Sequence, residues 1–294
     1  MSLTTIQQQR LSIICLLFAA TMWGLIWYPM RLLEAVGLPV VWTTLFIYLA
    51  AAVMHLPLAL SAPWPWRQLP ISLVGLALAA GATNLAFLVA LIEGEVLRVM
   101  LLFYLAPLWS VLLGRWWLGE TLSPAAFLLL LLAMTGTLIM LWHPEMGLPW
   151  PHGPADWLAL AAGILFAINN VLSRKLADVP MHIKTTVVYW GVVAVALIVM
   201  FLRHSPLPDI SLSVGLVTII FGGIAIVAMT VSVLYGLARL PVYHAAVIML
   251  FELVVAAISA WLLTEETMRA VDWLGGMLII AAAYGVARIE KRRN

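Results

Sequence analysis

Apolar runs long enough to cross a membrane follow one another along this chain. They lie near residues 11–33, 40–60, 69–91, 96–117, 124–142, 156–176, 184–203, 212–237, 243–264 and 271–289. About 20 apolar residues in α-helix cover the roughly 30 Å of bilayer hydrocarbon. A backbone surrounded by lipid must satisfy its own hydrogen bonds, so runs of this kind are helices. The gaps carry turn signals: Gly37 with Pro39, Pro63 with Pro65 and Pro70, Glu93-Gly94-Glu95, Ser123-Pro124, Pro206 with Pro208, and Arg239 with Pro241. Charge supports this reading, because 10% of the residues are charged where a soluble domain carries about 25%. The fold class is an all-α integral membrane protein with ten transmembrane helices.

The ten helices read as two copies of one five-helix unit. Phe103–Pro107 leads into an apolar stretch that closes on Gly119-Glu120-Thr121, and Ile248–Glu252 into one that closes on Glu265-Glu266-Thr267. The offset 266 − 120 = 146 also sets Glu95-Val96 over Pro241-Val242, and Asn84 over Thr230. A shorter offset, 166 − 23 = 143, sets Trp23 over Phe166 and Arg31 over Arg174. An odd number of helices inserts the second copy upside down. Many secondary transporters use such inverted repeats to build a site reachable from either side. The expected organisation is 1–143 for the first repeat, 144–155 for a connecting outer loop, 156–289 for the second repeat and 290–294 for a basic tail.

Lysine and arginine orient the bundle. With the N-terminus in the cytoplasm, only Arg31, Arg98, Arg203 and Arg269 of the 15 Lys and Arg fall outside, the positive-inside pattern. Both termini are then cytoplasmic. Trp64, Trp66, Trp116 and Trp117 form the inner aromatic belt, and Trp42, Trp142, Trp150 and Trp157 the outer one. The first apolar run lacks a small-residue cleavage site and reads as a span rather than a signal peptide. Cys15 is the only cysteine, which excludes an internal disulfide.

Leu105-Ala106-Pro107 followed by Leu118-Gly119-Glu120 resembles the fourth-helix pattern of the EamA-type ten-helix members of the drug/metabolite transporter superfamily. The resemblance runs from about Leu11 to Arg288. In the second copy, Leu250-Phe251-Glu252-Leu253 keeps the glutamate of a family Leu-Glu-Pro but carries Leu253 for the proline, and Thr264-Glu265-Glu266 stands for Leu-Gly-Glu. Similar aromatic amino-acid exporters line their pocket with Tyr-Leu-Trp-Pro; Tyr104 matches the tyrosine, and Ala106 stands for the tryptophan. The resemblance implies a secondary transporter in the inner cell membrane. It would export a small metabolite, an amino acid or related amphiphile, by alternating access around a midplane cavity between helices 1, 3, 4, 6, 8 and 9. A multidrug or lipophilic-cation exporter is the alternative.

Glu252 is the leading site candidate. It lies 252 − 243 = 9 residues into its span, about 13 Å deep. A carboxylate at that depth costs on the order of 3 kcal/mol on insertion scales, so it faces a wet cavity, takes a partner or is protonated. It would bind a proton as coupling ion or a substrate amine; capping polar groups between helices is the structural alternative. Met249 shares its helix face. Tyr104, Trp23 and Phe166 supply apolar walls or ordinary packing, and Asn84 and Asn169 orient a ligand or bind helices together. Arg98 would take a substrate carboxylate or pair with Glu93 or Glu95. Glu120, Glu265 and Glu266, at span ends, read as residues of solvated turns. His55 reads as hydrogen-bonded within the bundle. Gly75–Gly81 and Gly222-Gly223 read as close-packing sites.

Other classes find less support. His143 and His152 with Glu145 and Asp156 match no metal-site spacing, so neither metal nor cofactor is expected. There is no His-Glu-x-x-His, paired intramembrane aspartates or serine triad for an enzyme. The polar groups are too sparse for the continuous stripe of a channel. The expected partners are a small-molecule substrate and the lipid bilayer, without nucleic acid. Ten spans enclose a cavity without a second copy, so a monomer suffices.

Overall fold

The computed structural model describes residues 5–61, 71–142, 150–263 and 268–292. Its described residues form ten helices or helix pairs long and apolar enough to cross a membrane. Ten crossings return both chain ends to the same face. The inner-belt Trp64 and Trp66, His143 and Glu145, and Glu265 and Glu266 lie outside the described residues.

Six spans are single helices: α3 (Val40–Ser61), α4 (Ser72–Glu93), α7 (Pro124–Leu141), α8 (Pro154–Lys175), α9 (Met181–Leu202) and α14 (Ala270–Arg292). The other four are interrupted. The first is α1 (Thr5–Leu25) with α2 (Trp27–Ala35), and the fourth is α5 (Val96–Phe103) with α6 (Ala106–Leu118). The eighth is α10 (Leu212–Val217) joined to α11 (Gly223–Leu237) by a π-turn at Thr218–Gly222, and the ninth is α12 (Val242–Met249) with α13 (Phe251–Leu263).

Pro107 explains the break in the fourth span. It occupies the first turn of α6, where its missing N–H needs no partner. The chain must therefore restart a helix there, and Tyr104 and Leu105 form the joint. The ninth span breaks at Leu250 without a proline, where the Leu253 amide donates to the Leu250 carbonyl at 3.1 Å. The break is thus a property of the repeat rather than of Pro107 alone.

Helix contacts follow the inverted-repeat exchange. The third span, α4, packs on α8 and α9, the sixth and seventh. Its mate, α11 of the eighth span, packs on α1 and α3, the first and second. The fifth spans of the two halves, α7 and α14, lie against each other. At their crossing Gly136 faces Gly275, each placed so that an added Cβ would lie 2.6 Å from the other's carbonyl oxygen. Small residues let helix backbones approach where lipid offers no hydrophobic drive to association. Ile14, Leu60, Phe201, Leu212 and Phe221 face outward, as the lipid-facing surface requires.

Lys184, counted from sequence on the inner side, lies in the first turn of α9 and is buried there, 1% exposed. Asp178 and Arg239 are charged neighbours of its amino group.

Candidate functional site

The two broken spans meet at mid-depth. Tyr104 at the α5–α6 joint donates its hydroxyl to Oε1 of Glu252, in the first turn of α13. That position sets the Glu252 carboxylate near the positive end of a helix dipole, which favours negative charge. The pair thus joins the first repeat to the second across the middle of the bundle.

Around this pair lies a cavity of about 120 Å³. Trp23 of α1, Asn84 and Phe87 of α4, Phe103 and Tyr104, Phe166 of α8, and Met249 with Glu252 form much of its wall. Phe103 is the hub of the aromatic lining. Its ring centroid lies 4.3 Å from Phe87, 5.3 Å from Tyr104 and 5.6 Å from Phe166. Asn84 is fixed by its own helix and by α3: its amide nitrogen donates to the Ala80 carbonyl at 2.9 Å, and it accepts from the Tyr48 hydroxyl at 3.4 Å.

A larger vestibule of about 790 Å³ adjoins the cavity and shares Trp23, Asn84, Phe87, Tyr104 and Glu252 with it. It opens past Arg31, Met268, Arg269 and Asp272, on the face opposite the chain ends. Arg269 is held there by Asp272 at 2.7 Å. Trp27 donates its indole N–H to Ser259 Oγ at 3.0 Å, joining α2 to α13 along the vestibule wall.

Six of the eight residues singled out from sequence therefore come together: Glu252, Tyr104, Trp23, Asn84, Phe166 and Met249. Asn169 and Arg98 line neither the cavity nor the vestibule. The Asn169 side-chain oxygen is buried without a hydrogen-bond partner among the described residues. Arg98 donates to the Trp150 carbonyl at 3.2 Å, and its guanidinium lies 3.8 Å from Asp156 and 3.9 Å from Glu95. Glu93 pairs instead with Arg203, at 2.6 Å. The Asp156 carboxylate also accepts the His152 amide at 2.9 Å, so this cluster fastens the chain at the start of α8. Arg98→Ala is therefore expected to lower the melting temperature and leave ligand-induced stabilisation unchanged. Loss of ligand stabilisation with an unaltered melting temperature would reverse that assignment.

The cavity lining comes from the first, third, fourth, sixth and ninth spans, and the vestibule adds residues of the second, fifth and tenth. The eighth span, expected to border the cavity as mate of the third, contributes no lining residue. The inverted symmetry is approximate here: α4 brings Asn84 and Phe87 to the wall, while Thr230, the mate of Asn84, lies beside Tyr189.

Glu120 is the group that sequence reading undervalued. Gly119 takes a left-handed conformation, φ 67°, at the end of α6, a turn glycine adopts without steric cost. The turn carries Glu120 back over the helix end, its amide bonding to the Gly114 carbonyl at 3.2 Å. The carboxylate then accepts the Val242 amide at 2.9 Å, at the start of α12, and lies 3.5 Å from the Arg174 guanidinium. Burial pushes this carboxyl above the usual carboxylate range, although the Val242 amide and Arg174 both oppose the shift. Glu120 is thus not a residue of a solvated turn. Its sequence signal was the left-handed-capable glycine before it, which implies a reversed chain rather than a continuing loop.

Comparison with known proteins adds independent findings. The model of a family described as "EamA-like transporter family" matches residues 10–142 and 153–288. Protein RarD of Salmonella typhi and Protein RarD of Salmonella typhimurium are each 27% identical over 186 residues. Those alignments span 58% of this chain and 58% of each relative. A solved crystal structure superposes with a TM-score of 0.75 at 18% identity, over 94% of this chain and 97% of the other. That likeness concerns the fold.

Proposed function

This chain belongs to the EamA-like transporter family, and on that premise we propose that it exports a small amphiphilic metabolite by alternating access around the Glu252–Tyr104 cavity. The family is one of transporters and not of enzymes, so a small-molecule substrate and a membrane location follow. The observation that carries the finer reading is the pairing of Glu252 with Tyr104. A single carboxylate sits at the meeting of two broken helices, in contact with the same cavity as Trp23 and Phe166. Broken helices at the midplane are where inverted-repeat transporters place their binding groups. Glu252 binds the substrate amine or a coupling proton, and Tyr104 holds its carboxylate while the site is empty. The chain acts as a monomer in the inner membrane with both termini in the cytoplasm, in keeping with the positive-inside bias.

A second reading has an observation in its favour. Among the described residues the cavity lining combines aromatic rings with one carboxylate and contains no lysine or arginine. An amino acid brings a carboxylate that this lining does not neutralise, whereas an organic cation needs only Glu252 and the ring faces. Thermal stability against amino acids, amines and lipophilic cations separates the two, because a ligand that binds the folded state raises the melting temperature. Stabilisation by amino acids that Glu252→Gln abolishes supports the metabolite carrier. Stabilisation confined to organic cations supports the second reading and rejects the first.

A further inference from the structure

Beneath the cavity, towards the face of the chain ends, α6 and α8 close against each other, and α12 closes against both. On the two helices α6 and α8 the polar side chains of Ser110, Asn170 and Ser173 are buried, at 1%, 3% and 0% exposure. Among the described residues none of the three side-chain oxygens has a hydrogen-bond partner. Buried acceptors left unpaired carry their full desolvation cost, and such groups in a native structure require an explanation. Phe166, Asn170 and Ser173 stand at helical spacing on one face of α8, and Phe166 and Ser110 both line the cavity above. The row therefore leads away from the cavity. At its far end stand Glu120, Arg174 and the Val242 amide. Arg174 also donates to the Ala238 carbonyl at 2.7 Å. Gly114 lies under this cluster, with space for a Cβ 3.6 Å from the Glu120 carboxylate.

The internal repeat says what this row is. The 146-residue offset (266 − 120) carries Ser110 onto Ala256 and Gly114 onto Ala260. The 143-residue offset (166 − 23) carries Asn170, Ser173 and Arg174 onto Trp27, Met30 and Arg31. All five mates line the open vestibule on the opposite face. One set of equivalent positions is therefore open to the outside of the bundle while its counterpart is shut. The locks differ in the same way. Glu120 reaches the start of α12 and Arg174 beside it, whereas Arg31, the mate of Arg174, is exposed on the vestibule wall.

We propose that the seam between α6, α8 and α12 is the second half of the transport path, shut in this structure by a lock made of Glu120, Arg174 and the Val242 amide. Ser110, Asn170 and Ser173 are its polar lining, unpaired here because they are wet in the opposite state. Glu120 and Arg174 act as positioning residues: they touch no substrate and set which face of the cavity is open. This inference rests on the alternating-access reading above.

The test places one cysteine at a time in a Cys15→Ala background, as Ser173→Cys for the seam and Ala260→Cys for the vestibule. A membrane-impermeant maleimide is applied from each face of oriented vesicles. With the lock intact, Ala260→Cys labels from the face opposite the chain ends, and Ser173→Cys labels from neither. Adding Glu120→Gln should raise Ser173→Cys labelling from the chain-end face about tenfold and slow Ala260→Cys labelling, as one population replaces the other. Arg174→Gln should do the same, which guards against a single variant that fails to fold. If Ser173→Cys stays unlabelled in both lock variants while each remains monodisperse, the lock is overturned and alternating access is untouched. If a molecule carrying both cysteines labels from both faces at once, alternating access itself is wrong and the lock falls with it.

Discussion

Glu252→Gln is expected to lower substrate transport in proteoliposomes by about tenfold to hundredfold, the equivalent of one charge-assisted hydrogen bond of 1.5–3 kcal/mol. The substitution keeps the shape and an acceptor for the Tyr104 hydroxyl, so the α5–α6 and α12–α13 joints stay in register and the protein remains folded. What disappears is the negative charge that faces the cavity beside Trp23 and Phe166. Two assays read different parts of the loss. Counterflow of labelled substrate needs binding and the conformational cycle but no ion gradient; accumulation against a gradient also needs coupling. Loss of both places the carboxylate on the substrate. Loss of accumulation with counterflow retained assigns it to the proton. Wild-type rates in both assays would remove Glu252 from the mechanism and leave it as a packing group. Tyr104→Phe is expected to have the same sign and a smaller effect, because it removes one donor and leaves the charge.

The local physics of each residue decides what could be read from the chain. Span positions were legible because a lipid-embedded backbone needs long apolar runs, and observed spans such as Val40–Leu60 and Pro124–Leu141 lie within two residues of those read from hydropathy. The gathering of Tyr104, Glu252, Trp23 and Phe166 was legible for a related reason. Polar and aromatic groups at matching depth in opposed repeats must share the bundle interior. The breaks were less so. The fourth and ninth runs were read as continuous spans: Pro107 accounts for the first break once the helix restart is seen, and the break at Leu250 carries no glycine or proline to mark it. Glu120 looked like a turn residue because exposure at a span end is set by how the other repeat closes over it, which one segment cannot reveal. Arg98 and Asn169 sit at plausible depth but on helix faces turned from the cavity, and depth alone does not fix rotation about a helix axis.

A second large effect is expected at the crossing of α4 and α9, where Gly191→Leu should abolish recovery of monodisperse, thermally cooperative protein. A Cβ at Gly191 would overlap the backbone of Ala77, and one at Gly81 would lie 2.5 Å from the Gly191 carbonyl oxygen. The obstacle in both cases is main chain, which cannot change rotamer to relieve the clash. Overpacking in a close-packed interior costs about 1–3 kcal/mol even where side chains yield, and here a whole helix must retreat. In lipid that retreat forfeits the van der Waals contact that holds small-residue crossings together. The crossing matters beyond its own area because α4 belongs to the first repeat and α9 to the second. Separating them moves Asn84 and Phe87 away from the wall they share with Phe166. Gly153→Ala is the matched control, since among the described residues no heavy atom lies within 4 Å of its added Cβ, and it should behave as wild type. Fluorescence-detected size exclusion followed by a melting curve decides the matter. A Gly191→Leu protein with the wild-type melting temperature would show that the two repeats are not held together at this crossing.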